Sequence, residues 1–264
     1  MRVVHYTISI GCPQNVGPEV VSRVDRREGR LVVADFYVEL LRMRIIRMGW
    51  LKVAKRIDAL HNFAFSGDGW SDSRPPRWPD PNYPAQIHLD FQAPDLDAVE
   101  ASVLELGGSK LGHFPDHRVF ADPVGHPFCL YPAEANDEEP VLWRVVLDCD
   151  SPDVLARFYE QLVDEWQRIE DTGERVVIRP ITGDLPLLVF QRTDARPPRW
   201  GDPDYPFQLH FDLSFDDENA IELARQLGAV HIEGEVHADP AGHPFCLGIW
   251  RGEIPMSSSY SRTG

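Results

Sequence analysis

Two histidines stand in near-identical settings. His88 lies in QIHLDF and His210 in QLHFDL, each followed two residues later by an aspartate, Asp90 and Asp212. Residues i and i+2 of a strand share a face, so each imidazole is placed beside a carboxylate. Such a pair binds a ligand and moves a proton, or it is a structural histidine pinned by its neighbour. Downstream, ADPVGHPFCL and ADPAGHPFCL carry His126, Cys129, His243 and Cys246. Asp-Pro-x-Gly is turn chemistry, so these histidines read as turn packing or as ligands. Their cysteines read as inert buried thiols or as reactive ones, with no base shown beside either. Ahead of each HxD strand runs a proline-rich phrase, RPPRWPDPNYP and RPPRWGDPDYP, holding Trp78, Trp200, Tyr83, Tyr205 and four arginines. Aromatic and guanidinium groups recognise planar molecules. The same residues also suit a rigid strap that seals a sheet.

The elements that must position these groups are themselves duplicated. Two long phrases recurring in the same order make the chain a tandem duplication, with a period too long for a solenoid. The second copy reads cleanly. VLWRVVLDC (Val141–Cys149) is a strand, and SPDVLARFYEQLV is an amphipathic helix with Ser151 as cap and Pro152 in its first turn. Further strands follow over Glu174–Pro180 and Leu185–Thr193. The prolines of the linker break any ladder or helix. PFQLHFDLSF then starts a second unit of the same plan, with a helix capped by Asp216 or Asp217 and stopped by Gly228. The first copy repeats this with Cys12 opposite Cys149, and Phe36 and Tyr37 opposite Phe158 and Tyr159. It carries an inserted loop at about 14–30. HFPDHR near residue 115 lengthens its second half, since His126 follows His88 by 38 residues and His243 follows His210 by 33. The domains expected are 1–132 and 140–253, with a polar tail over 254–264.

At 264 residues, with 43% hydrophobic and 26% charged residues, the chain has the length of two ordinary domains and the material for a core. A formal net charge of −16 argues against nucleic acid, whose phosphates need Lys and Arg. No apolar run reaches the roughly 18–20 residues of a membrane span, and no signal-peptide order opens the chain. A cytoplasmic protein without disulfides or structural zinc is expected, as a monomer or homodimer.

A strand–helix–three-strand (βαβββ) unit with an FY-bearing helix, an HLD or HFD strand and a late DPxGHPF resembles the vicinal oxygen chelate superfamily. That group contains the glyoxalases, bleomycin-resistance proteins and extradiol dioxygenases. The RPPxW and HPFC phrases resemble its actinobacterial glyoxalase-like branch. The resemblance covers nearly the whole chain. It implies an α+β fold of four βαβββ modules forming two curled-sheet cups, each copy supplying one cup. Metal-dependent members carry one ligand on each of four strands, where a divalent ion acts as a Lewis acid. Carried over residue by residue, His210 and His88 fall on a ligand position. Cys246 and Cys129 fall where a Glu is normal, as do Gln191 and Ser66. Arg144 and Thr7 fall near the first-strand position, with His5 two residues before Thr7. The acidic ligands are thus missing, and an Arg in the cage repels a cation, so no metal or other cofactor is expected. The resemblance then implies a small organic ligand in the cup of the second copy. His210 there, and His88 at the same place in the first copy, are the candidate catalytic groups, and Arg144, Gln191, Cys246, Trp200 and His243 the candidate ligand-binding groups. The other readings are a metal-dependent or acid–base enzyme acting on a small carbonyl or vicinally oxygenated compound, and a scaffold whose copies only stabilise each other.

Overall fold

The computed structural model describes residues 3–11, 29–47, 51–55, 61–66, 76–80, 82, 84–133, 139–163, 166–181, 185–194 and 208–250. Trp200, the tail 254–264 and nearly all of the expected insertion at 14–30 lie outside them. The first module is β1 (Val3–Gly11), α1 (Gly29–Leu40), β2 (Arg44–Arg47), β3 (Leu51–Lys55) and β4 (His61–Ser66). The second is β5 (Ile87–Ala93), α2 (Leu96–Glu105), β6 (Ser109–His113), β7 (Arg118–Ala121) and β8 (Pro127–Pro132). The third is β9 (Val141–Cys149), α3 (Pro152–Leu162), β10 (Trp166–Asp171), β11 (Arg175–Pro180) and β12 (Leu187–Arg192). The fourth is β13 (Leu209–Phe215), α4 (Ala220–Gln226), β14 (Val230–Glu233), β15 (Val236–Ala238) and β16 (Pro244–Ile249).

Strand alternation decides which side chains reach the sites. On β13, Leu209, Phe211 and Leu213 point to the core, while His210 and Asp212 take the opposite face. On β5, Ile87, Leu89 and Phe91 are buried in the core, and His88 and Asp90 share the other face. The core faces of the sheets carry the helices. Tyr37 of α1 stacks on Phe63 and Phe65, and Tyr159 of α3 stacks on Phe190. Each such ring contributes on the order of 1.5–3 kcal/mol through burial.

Helix ends show where local chemistry was legible. Gly228 stops α4 with φ 106°, the left-handed geometry expected of it. The cap expected at Asp216 or Asp217 is displaced to Asn219, because Asp217 spends its carboxylate on a turn with the Asn219 N–H. Ser151 precedes α3 without a side-chain capping bond. Asp95 caps α2, accepting from the N–H groups of Asp97 and Ala98 at 3.0 Å each. Asp95→Ala is expected to cost about 1 kcal/mol, read as a shift in urea midpoint; an unchanged midpoint would show that the cap carries nothing.

The sheets correct one expectation. One sheet runs β14-β15-β16-β13-β1-β4-β3-β2 and the other β10-β11-β12-β9-β5-β8-β7-β6. The two modules of one copy therefore do not share a sheet. The first module joins the fourth through the antiparallel pair β1–β13, and the second joins the third through β5–β9. Within each module the first and last strands pair in parallel, which leaves the other edge of the first strand unsatisfied. A duplicated chain offers several equivalent free edges, and the repeat alone does not say which will meet. The helices keep to their copies: α1 packs on α2 and α3 on α4. Below, the first cup is the face of the β1–β13 sheet away from the helices, and the second cup is that of the β5–β9 sheet.

Candidate functional site

Because modules pair crosswise, the candidate residues separate. His210 and Cys246 lie in the first cup. Arg144 and Gln191 lie in the second, with His88 and Cys129. The expected grouping of His210, Arg144 and Gln191 in one cup is therefore overturned.

In the second cup, β5 presents His88 and Asp90, β9 presents Arg144 opposite Asp90, and β8 presents Cys129 beside Asp90. Arg144 donates from Nε and Nη2 to Asp90 Oδ2 at 2.8 and 2.7 Å. Both side chains are nearly buried, 8% and 2% exposed, so this ion pair is dry. His88 Nε2 stands 3.6 Å from Asp90 Oδ1, which makes no hydrogen bond. Burial, and the Asp90 carboxylate beside it, push the Cys129 thiol up, so it stays neutral and is no nucleophile. Asp148, on the same face of β9, was not singled out from sequence. Burial raises its carboxyl above the ordinary range, and one of its oxygens has no hydrogen bond. Gln191 sits opposite Asp148 on β12 and is exposed, well along the strand from Arg144, which faces Leu187.

The first cup holds a different set. His210 Nε2 lies 3.4 Å from Asp212 Oδ1, and Ser9 of β1 donates to Asp212 Oδ2. Burial works to raise Asp212, but His210 and the hydrogen bonds from His210, Ser9 and Cys246 hold it below the ordinary carboxylate value. Burial raises the Cys246 thiol, with Asp212 and Glu235 adding to the effect. Thr7 occupies the place opposite Asp212 that Arg144 takes opposite Asp90. Ser66 ends β4 and pairs with Gly11 and Leu51.

His243 leaves the set of ligand candidates. It is 1% exposed, with Nδ1 3.1 Å from Asp239 and Nε2 3.0 Å from the Asp148 carbonyl. Asp239 also accepts from the N–H groups of Ala241 and His243 and from the Tyr159 hydroxyl. The DPAGH phrase is a closed turn, and the ring is spent on it. In the first copy Asp122 holds His126 at 2.8 Å in the same manner.

The model of the glyoxalase-like domain family matches residues 24–131 and 144–248. The chain belongs to the glyoxalase-like domain family. Its architecture is shared by a glyoxalase I mutant from Zea mays, at TM-score 0.60 and 13% identity over 94% of this chain and 93% of that one. A putative dioxygenase from Bacillus subtilis matches at TM-score 0.56 and 15% identity over 94% and 85%. The cppA protein of Streptococcus pneumoniae matches at TM-score 0.50 and 10% identity over 95% and 100%. No curated protein matches the chain. These likenesses establish the vicinal oxygen chelate fold and leave the reaction to the residues. No helix among the described residues is long and apolar enough to cross a membrane.

The superfamily implies a divalent metal, and the two cups of this glyoxalase-like chain differ in fitness for one. In the second cup, His88, Asp90 and Cys129 also bring ligand atoms within 4.8 Å of one another, but Arg144 is paired with Asp90 Oδ2 and its positive charge opposes a cation beside it, so the residues fit a metal poorly. In the first cup, His210, Asp212 and Cys246 offer nitrogen, oxygen and sulfur atoms all within 4.8 Å of one another. That donor set suits a borderline-soft ion such as zinc. The first cup therefore fits a metal better than the sequence suggested, because the arginine thought to stand beside His210 belongs to the other cup.

Proposed function

We propose that the chain binds a small organic molecule carrying a carbonyl or carboxylate oxygen, and that it does so in the second cup without a metal ion. The observation that supports this is the buried Arg144–Asp90 pair beside His88. Arg144 uses Nε and Nη2 on Asp90, and its Nη1 has no hydrogen bond among the described residues. A guanidinium fixed by a carboxylate is oriented before the ligand arrives, which reduces the ordering cost of binding. His88, 19% exposed, is the group that can meet the ligand's oxygen, with the free Asp90 oxygen behind it. The relevant copy differs from expectation in one respect: the site draws His88 from the first copy and Arg144 from the second.

A second reading is supported by the first cup. His210, Asp212 and Cys246 would hold a divalent ion, which would supply Lewis acidity to an oxygenated substrate. The chain would then be a metal-dependent enzyme.

Two measurements on the purified chain separate these. Under the first reading, small carboxylic and 2-oxo acids raise the melting temperature, and elemental analysis finds no stoichiometric metal. About one zinc, iron, nickel or manganese per chain, lost on His210→Ala and retained on His88→Ala, would establish the second. Absence of both would leave a scaffold.

A further inference from the structure

The two cups descend from one repeat, so a feature built into only one of them marks what that cup has come to do. Three such features meet around Arg144. The first is the position of a β-bulge. Asp90 pairs with Arg144 and the next residue, Phe91, pairs with Leu142, so Trp143 is left as the extra residue of β9. A bulge re-aims a side chain, and Trp143 is swung beside Arg144, whose guanidinium carbon lies 3.6 Å from its ring centroid. The bulge of the first cup falls elsewhere, between Val3 and His5, so there the residue equivalent to Trp143, Tyr6, pairs regularly with Leu213 and is buried in the core against Phe211. The second feature is Tyr131 of β8, whose ring lies 4.6 Å from the same guanidinium carbon and 5.3 Å from Trp143. The first cup has Gly248 at this place. The third is the connection between β6 and β7, residues 114–117, where the first cup has only 234–235 between β14 and β15. Its extra length places His117 flat on Tyr131 at 5.0 Å and 18°, and Phe114 flat on His117 at 4.7 Å and 9°. Trp78 of the proline-rich phrase meets Phe114 at 6.5 Å.

We propose that the second cup selects flat aromatic monocarboxylates, gripping the acid at Arg144 and the ring along the wall of Trp143, Tyr131 and His117. This rests on, and narrows, the reading of the second cup as the binding site. Two neighbouring rings, Trp143 and Tyr131, lie against the guanidinium, and Nε and Nη2 face Asp90. What remains is the in-plane Nη1 donor, which suits one oxygen of a carboxylate. Asp116, at the tip of the same connection, lies within electrostatic reach of Arg144. With Asp90 already paired and Asp116 in reach, a doubly charged phosphate is opposed more strongly than a monoanion, so the single charge is the better match. Val146, Val177 and Val189, with Leu187, form a separate apolar cluster on the same face of β9, β11 and β12. A ring between aliphatic and aromatic surfaces is favoured over a puckered body of equal charge, since offset and edge-on ring contacts add to burial.

The test is calorimetric titration of the full chain with 2-naphthoate, with cyclohexanecarboxylate as a saturated acid of equal charge, and with 2-naphthol as a flat neutral ring. Quenching of tryptophan fluorescence provides an independent readout. The flat acid is expected to bind at least about tenfold more tightly than either control, with quenching. His117→Ala, at the surface tip, is expected to bring the two acids within about threefold while leaving the saturated acid unaffected. Phe114→Ala serves as the second variant should His117→Ala unfold. Equal affinity for both acids, or preference for the flat acid that survives both variants, overturns this inference alone. Failure of every carboxylate to bind overturns it together with the binding site itself.

Discussion

Replacing Arg144 by alanine is expected to destabilise the protein by about 3–5 kcal/mol, because it strands the Asp90 carboxylate in a dry site. Asp90 is 2% exposed, and its Oδ2 accepts both of the arginine's bonds. His88, at 3.6 Å, is too far to replace them. The companion experiment removes both charges: Asp90→Asn with Arg144→Met should recover most of the loss, since apolar or neutral replacements of a buried pair are often near neutral. Urea denaturation of the three proteins decides it. A loss below about 1 kcal/mol for Arg144→Ala would mean that water reaches Asp90 once the arginine is gone. The first cup predicts the contrast. Asp212 has Ser9 and His210 as partners and no cation opposite, so Thr7→Ala should be nearly silent.

The second large effect is at the turn before β16. Asp239→Ala removes the acceptor for Tyr159, for His243 and for two backbone N–H groups at once. Bonds to a charged acceptor are worth about 1.5–3 kcal/mol each and are not additive, so a loss of about 3–5 kcal/mol is expected. The pH dependence identifies the charged form. Burial alone would lower the His243 imidazolium, but the Asp239 carboxylate and the Asp148 carbonyl outweigh it, and the net shift is upward. A folded pKa above the unfolded value of about 6.5 gives stability that is complete below that value and is lost as pH rises through the folded pKa. The groups facing this ring are Asp239 and Asp148, with Tyr159 across Asp239. The stability gap between the protein and Asp239→Asn should therefore narrow from about pH 6.5 upward into alkaline solution. A gap that stays constant would mean a neutral His243.

The fold was legible because its signals are local and doubled. The alternation of IHLDF and LHFDL set the core and cup faces correctly, and the glycines of the DPxGH phrases adopt the positive φ that the turn demands, 101° at Gly125 and 92° at Gly242. The turn reading of His126 and His243 was open beside a ligand reading, and the hydrogen bonds decide for the turn. Strand partnership was not legible, because pairing is a long-range choice among equivalent edges. Arg144 and His210 share a copy and so belong to one cup by sequence, but strand pairing puts them in different sheets. Asp148 carries no signal of its own in the sequence, because the burial that raises its carboxyl comes only from the fold around it. The role of the HFPDHR residues was also hidden. Their excess length was visible, but what they cover depends on a bulge at Trp143 that only the pairing of β5 with β9 reveals.

The crosswise seams have a consequence for how such a chain changes through time. Ordinarily a duplicated segment frees one copy to drift while its twin preserves the old task. Here neither copy owns a cup, so neither is a spare. The aspartate that holds Arg144 is encoded in the first half and the arginine in the second. A substitution in either half is tested against a partner inherited from the other, and the halves must be passed on together. The chain is built as two similar halves are in a dimer, with a peptide bond joining them, and its two cups can differ because each is made from unlike modules of both halves.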